Sequence, residues 1–289
     1  MPYIAKENRF MLRQVVGAIA LAVSCASLVP TSSAASPLPT APRVSVPDAG
    51  ELINETGRLR MLAERMGKAY AQLALKLMPD KAREQLIDSQ KRFEENIALI
   101  GRGATKPITR AGLDTIVASY RSYAEALALP PTKANVAAAH RLTEKLVGEA
   151  ENLAAAFEGH AQVPAARIVN ISGRQRMLSQ RMARLYFAAA LGNGKGDVEQ
   201  SRVEFRNRLI TLETSPLTTP EIRREIDLAK TQWLFFEQAL LGNGDPAGNL
   251  KNVATANERL LETMDKLTSL YSKDLHIILG SRPSAVVGG

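Results

Sequence analysis

The sequence predicts an all-α protein, a tandem pair of up-down four-helix bundles behind a signal peptide. Three observations carry this reading. From residue 48 onward, apolar residues recur at helical spacing and no strand-like alternation interrupts them. A phrase of thirteen residues is written twice, as NETGRLRMLAERM at 54–66 and NISGRQRMLSQRM at 170–182. The helices and loops around that phrase also return in the same order, so the whole unit is duplicated.

The N-terminal 35 residues predict export. Lys6, Arg9 and Arg13 precede the apolar run Val15–Val23, and Ser33 and Ala35 fit the small-residue rule for cleavage before Ser36. The run is shorter than the roughly 20 apolar residues a membrane span requires. Retention as an anchor and lipidation at Cys25 are the alternatives. Cys25 is the sole cysteine of the 289 residues. Cleavage leaves a chain without thiol chemistry and lowers the net charge from +8 to +6. Residues 36–47 are rich in Pro and Ser and predict a linker.

The first repeat spans 48–162. Asp48 followed by Glu51 opens a helix as a capping box. Leu59, Leu62, Met66, Ala69, Tyr70 and Leu73 form its apolar stripe, and MPDK at Met78 breaks it. A second helix carries Phe93, Ile97 and Ile100. A third runs from about Arg110 to Leu129, with Ile116, Tyr120, Tyr123 and Leu127 inward. Thr132 caps a fourth helix that reaches about His160. The second repeat spans 163–280 and mirrors the first. Phe93 matches Phe205, Tyr120 matches Trp233, Tyr123 matches Phe236, and Asn135 matches Asn252. Thr219-Pro220-Glu221 is a strong helix start, and LGNGKG at Leu191 supplies glycines for left-handed turns. Residues 281–289 predict a disordered tail.

Within the repeated phrase, Asn54, Arg58, Met61 and Arg65 stack on one seam beside the core stripe. Gly57 adjoins the seam, where a second backbone or a ligand can come close, and Arg60 flanks it on the other side. The second copy repeats this with Asn170, Gly173, Arg174, Arg176, Met177 and Arg181. Guanidinium forks bind the oxygens of carboxylates and oxyanions bidentately. Two facing copies gather several such groups, and their mutual repulsion favours an anion between them. The competing reading pairs each arginine with a nearby carboxylate of the chain itself, as Arg65 with Glu64 or with a carboxylate on another helix.

The phrase N-x-x-G-R-x-R-M-L-x-x-R-M resembles the signature of the PilJ-type domain, the N-terminal sensor domain of type IV pili methyl-accepting chemotaxis transducers. It is similar to the helical sensor box of NarX/NarQ-type nitrate/nitrite kinases. The resemblance implies a four-helix bundle that pairs through its first helices. It also implies a ligand held by Arg60 and Arg176 with backbone near Gly57 and Gly173. The helical seam, not the resemblance, adds Arg58, Arg65, Arg174, Arg181, Asn54 and Asn170 as assisting residues. Arg58 and Arg174 stand where the nitrate sensors carry a serine, which brings the chain nearer the pilus-transducer form. An empty anion site of this kind implies that losing Arg60 leaves stability level or higher, whereas a structural ion pair implies a loss.

Other constellations are weak. His140, His160 and His276 are far apart, predict surface positions and have no metal-ligand spacing. No nucleophile–base pattern or phosphate-cradling loop is present, so neither catalysis nor a cofactor is expected. The basic residues are spread beside acidic ones, without the aromatic interleaving of a nucleic-acid groove. The expectation is a periplasmic or secreted sensor-like binding module without a transmitter. It would bind a small, nitrate- or nitrite-like oxyanion, or a membrane-bound receptor or pilus/chemotaxis component. The alternatives are a helical interaction protein whose arginine seams are structural, and a peripheral membrane protein with basic faces on anionic lipid.

Overall fold

The computed structural model describes residues 46–193, 198–242 and 245–280. The expected signal peptide, most of the linker and the tail at 281–289 lie outside them. Eight helices and no strand occur among the described residues: α1 (Ala49–Ala74), α2 (Pro79–Gly103), α3 (Pro107–Ala128), α4 (Lys133–Ala161), α5 (Pro164–Ala190), α6 (Val198–Glu213), α7 (Pro220–Leu241) and α8 (Pro246–Gly280).

Local chemistry sets the helix ends. The Asp48 carboxylate accepts from the Glu51 N–H at 2.9 Å, the Thr132 hydroxyl from Asn135 and the Thr219 hydroxyl from Ile222. Asp245 accepts from the N–H groups of Ala247 and Gly248 at the start of α8. Proline opens α2, α3, α5 and α7, where its missing N–H costs nothing. That effect starts α3 at Pro107, three residues before the Arg110 the periodicity suggests. Gly192 turns the chain after α5 with φ 74°. Between α4 and α5 only Gln162 and Val163 intervene, Gln162 in the left-handed region at φ 50°.

Each repeat packs its own four helices, and the apolar core runs through both. Phe93 stacks on Tyr120 in the first repeat with centroids 4.4 Å apart. Phe205 stacks on Trp233 in the second at the same separation. The repeats join because α1 packs lengthwise on α5, with α8 also against α1 and α4 against α5. All eight helices fall in one compact unit. Being covered by its own bundle and by the other repeat, α1 buries 19 of its 26 residues. That exceeds one apolar stripe, so polar side chains must be buried too and must find partners.

Candidate functional site

Gly57 and Gly173 mark where α1 crosses α5. A Cβ added to Gly57 would lie 3.7 Å from the Gly173 Cα, 3.1 Å from Arg60 Nη2 and 3.4 Å from Arg176 Nη2. The absence of side chains therefore lets two guanidinium groups lie over the crossing. Both arginines are fully buried, whereas helical spacing alone places Arg60 on the flank of Gly57, beside the seam.

Each guanidinium spans the two repeats. Arg60 donates through Nη1 to Glu151 of α4 and through Nη2 to Asn170 Oδ1 of α5 at 2.7 Å. Arg176 donates through Nη1 to Asp265 of α8 at 2.6 Å. Its Nη2 donates to Asn54 of α1, both Oδ1 and the main-chain oxygen, at 2.8 and 2.9 Å. The outer arginines complete the exchange. Arg58 reaches Asp265 of the other repeat at 3.2 Å, and Arg174 reaches Glu151 at 2.8 Å. Arg174 also pairs with Glu204. Eight of the ten expected site residues thus meet in one cluster.

Arg65 and Arg181 belong to a second layer, two turns along. Arg65 pairs with Glu258 of α8 at 2.6 Å and with Asp88 at 3.3 Å, not with its neighbour Glu64. Lys68, wholly buried, also donates to Glu258 and reaches Asn257 Oδ1 at 3.0 Å. On the other side Arg181 and Arg184 both donate to Glu144 of α4, at 2.6 and 2.5 Å. Arg184 Nε donates to the buried Glu64 at 2.5 Å. His140 is half-buried with Nδ1 against Arg184, so the surface position expected for it is corrected; Arg184 needs acceptors on every side and the ring edge is one.

The electrostatics follow from burial. Loss of water lowers the pKa of Arg60 and of Arg176, against the pull of Glu151 and Asp265. Burial alone would raise the carboxyl groups of Glu151 and Asp265. Arg60 and Arg174 hold the first below its ordinary value, and Arg176 and Arg58 the second. Burial drops the Lys68 ammonium to about 8, with Glu258 opposing, while Lys68 and Arg65 hold Glu258 at about 2.

The acids were missed from sequence, although a signal was present. Glu144 and Glu151 on α4 stand seven residues apart, as do Glu258 and Asp265 on α8. The same spacing separates Arg58 from Arg65 and Arg174 from Arg181. Two basic and two acidic ladders with one period predict pairing once the helices are known to face each other.

The sequence profile of the PilJ family, described as the type IV pili methyl-accepting chemotaxis transducer N-terminal domain, matches residues 47–142 and 159–260. The chain belongs to the PilJ family. Both PilJ segments contain a full copy of the arginine phrase and the glycine of the crossing. They stop before Glu151 and Asp265, so the acids that neutralise Arg60 and Arg176 lie beyond the matched residues. No curated protein and no solved structure matches the chain. Among the described residues, no helix is long and apolar enough to cross a membrane, and no group of His, Cys, Asp and Glu is placed to hold a metal ion.

Proposed function

We propose that this chain is an exported, sensor-type PilJ module that acts by binding, with its arginine phrase as the clasp holding two fused repeats in register. One observation carries the reading. Arg60 and Arg176 are fully buried, and each is neutralised by a carboxylate and bound to an asparagine of the opposite repeat. A buried guanidinium with its charge already met supports a joint better than an open site. The partner fits a membrane-bound receptor or a pilus/chemotaxis component of the envelope, as the family description suggests.

A second reading keeps a small oxyanion at the crossing. It is favoured by the two guanidinium groups meeting there and by the Nε–H groups of Arg60 and Arg176, buried without a hydrogen-bond partner among the described residues. Glu151 and Asp265, about a third exposed, would then be competitors the anion displaces.

Melting of wild type, Arg60→Ala and Arg176→Ala with and without nitrate, nitrite, sulfate and phosphate separates the two. The clasp predicts that both variants melt several degrees lower and that no anion shifts the wild type. An oxyanion at a hundred times its dissociation constant would add about 2.7 kcal/mol to the wild type. Such a shift, lost in both variants, overturns the clasp.

A further inference from the structure

We infer that the second repeat carries a binding groove for a small amphiphile with an apolar body and one anionic head, such as a free medium-chain carboxylic acid. The groove lies where the start of α5, the α6–α7 loop and the end of α8 meet. It is open to solvent, has a volume of about 560 Å³ and is lined by Val163, Ile168, Ile171, Leu217 and Ile278, with Arg167 at its rim. A pocket of this size, mostly apolar with few polar groups, suits a small molecule.

The duplication supplies an internal control. Ile168 corresponds to Leu52 of the first repeat, and Ser215 corresponds to Gly103. A Cβ on Gly103 would lie 2.6 Å from Leu52, so in the first repeat the leucine seats against a bare glycine and fills the place. Leu52 is buried there. In the second repeat Ser215 has a side chain at that point. Ile168 stays half-buried, and the groove remains between the two. The same fold thus closes this position once and leaves it open once.

The rim sets the sign of the ligand's charge. Arg167 is exposed and forms no ion pair among the described residues, whereas the arginines of the clasp are all paired. Its counterpart in the first repeat is Glu51. A guanidinium with no ion pair among the described residues, set beside an apolar trough, complements a carboxylate attached to a hydrocarbon. The aliphatic body would lie along Ile168, Ile171 and Leu217, and Thr211 and Ser215 would face its polar end.

The test is displacement of 8-anilinonaphthalene-1-sulfonate by decanoate below its micellar concentration, with decanol as the neutral control. Decanoate is expected to compete at one site per chain. Arg167→Gln should weaken decanoate about tenfold and leave decanol unchanged. Ile168→Trp should fill the groove and weaken both, with circular dichroism unaltered. Decanoate that fails to compete, or affinity indifferent to both substitutions, overturns the inference. So does binding to phosphatidylglycerol vesicles that depends on Ile168 while free decanoate stays unbound, since the occupant would then be a membrane.

Discussion

Arg174 of the second repeat lies 2.8 Å from Glu151 of the first. Glu151 also accepts from Arg60, so one carboxylate neutralises an arginine of each repeat. Glu151→Gln should cost about 3 kcal/mol, because it leaves a fully buried guanidinium without its counter-charge. Arg174→Gln should cost much less, since Arg174 is a quarter exposed and Glu151 keeps Arg60. Denaturant titration of the two variants checks the order, and equal losses would refute it.

Cysteines in place of Gly57 and Gly173, on a Cys25→Ser background, should join within one chain. A disulfide requires Cα atoms within roughly 7 Å, which the crossing satisfies. Non-reducing electrophoresis should show a faster-migrating monomer. A ladder of cross-linked dimers would mean that the two motif helices meet between chains.

Acid should loosen the second layer of the clasp. Lys68 and Arg65 hold Glu258 at about 2, below the ordinary value of 4.5. A carboxyl lowered in the fold contributes stability that is full above its unfolded pKa and is lost as pH falls toward the folded one. For Glu258 that window runs from about 4.5 down to about 2, and the loss is about 3 kcal/mol. Glu144, Glu151 and Asp265 are lowered too and add to it. Glu258→Gln should be less stable at pH 7 and should lose less between pH 5 and pH 3 than the wild type. Parallel curves would refute the assignment.

Helices, loops and the duplication were legible because they rest on local spacing and on matches between two copies of one text. The clasp was half legible. The phrase identified Gly57, Arg60 and their counterparts as residues that meet. A wheel drawn for one helix, however, sees a single buried stripe, and α1 is buried on two sides. Arg60 therefore looked like a flank residue and Lys68 drew no notice, although both are fully buried. Glu151 and Asp265 lie 91 and 89 residues from the arginines they neutralise. Only the approach of helices that far apart in sequence reveals the pairing, and composition reports nothing about it.

Trp233, the only tryptophan, stacks on Phe205 and meets Phe236 edge-on at 6.1 Å. Its fluorescence reports the second repeat, while circular dichroism reports all helices. With one core running through both repeats, the two signals should share a single midpoint. Trp233→Ala should lower that midpoint for both, at a cost of about 3–5 kcal/mol. A dichroism transition that splits, leaving the first repeat folded, would show that the clasp does not couple them.

The two-residue turn at Gln162 and Val163 changes the kind of equilibrium that governs the joint. Separate bundles would meet by a second-order encounter, and dilution would part them. Tethered through so short a turn, α1 and α5 re-form their contact in a first-order step at an effective concentration set by the chain. The pair then holds together at any abundance. Its two halves are also free to diverge: a homodimer must carry the same residue at equivalent positions on both sides of its axis, whereas here the first repeat has Lys68 where the second has Arg184, and Glu64 where the second has Gln180.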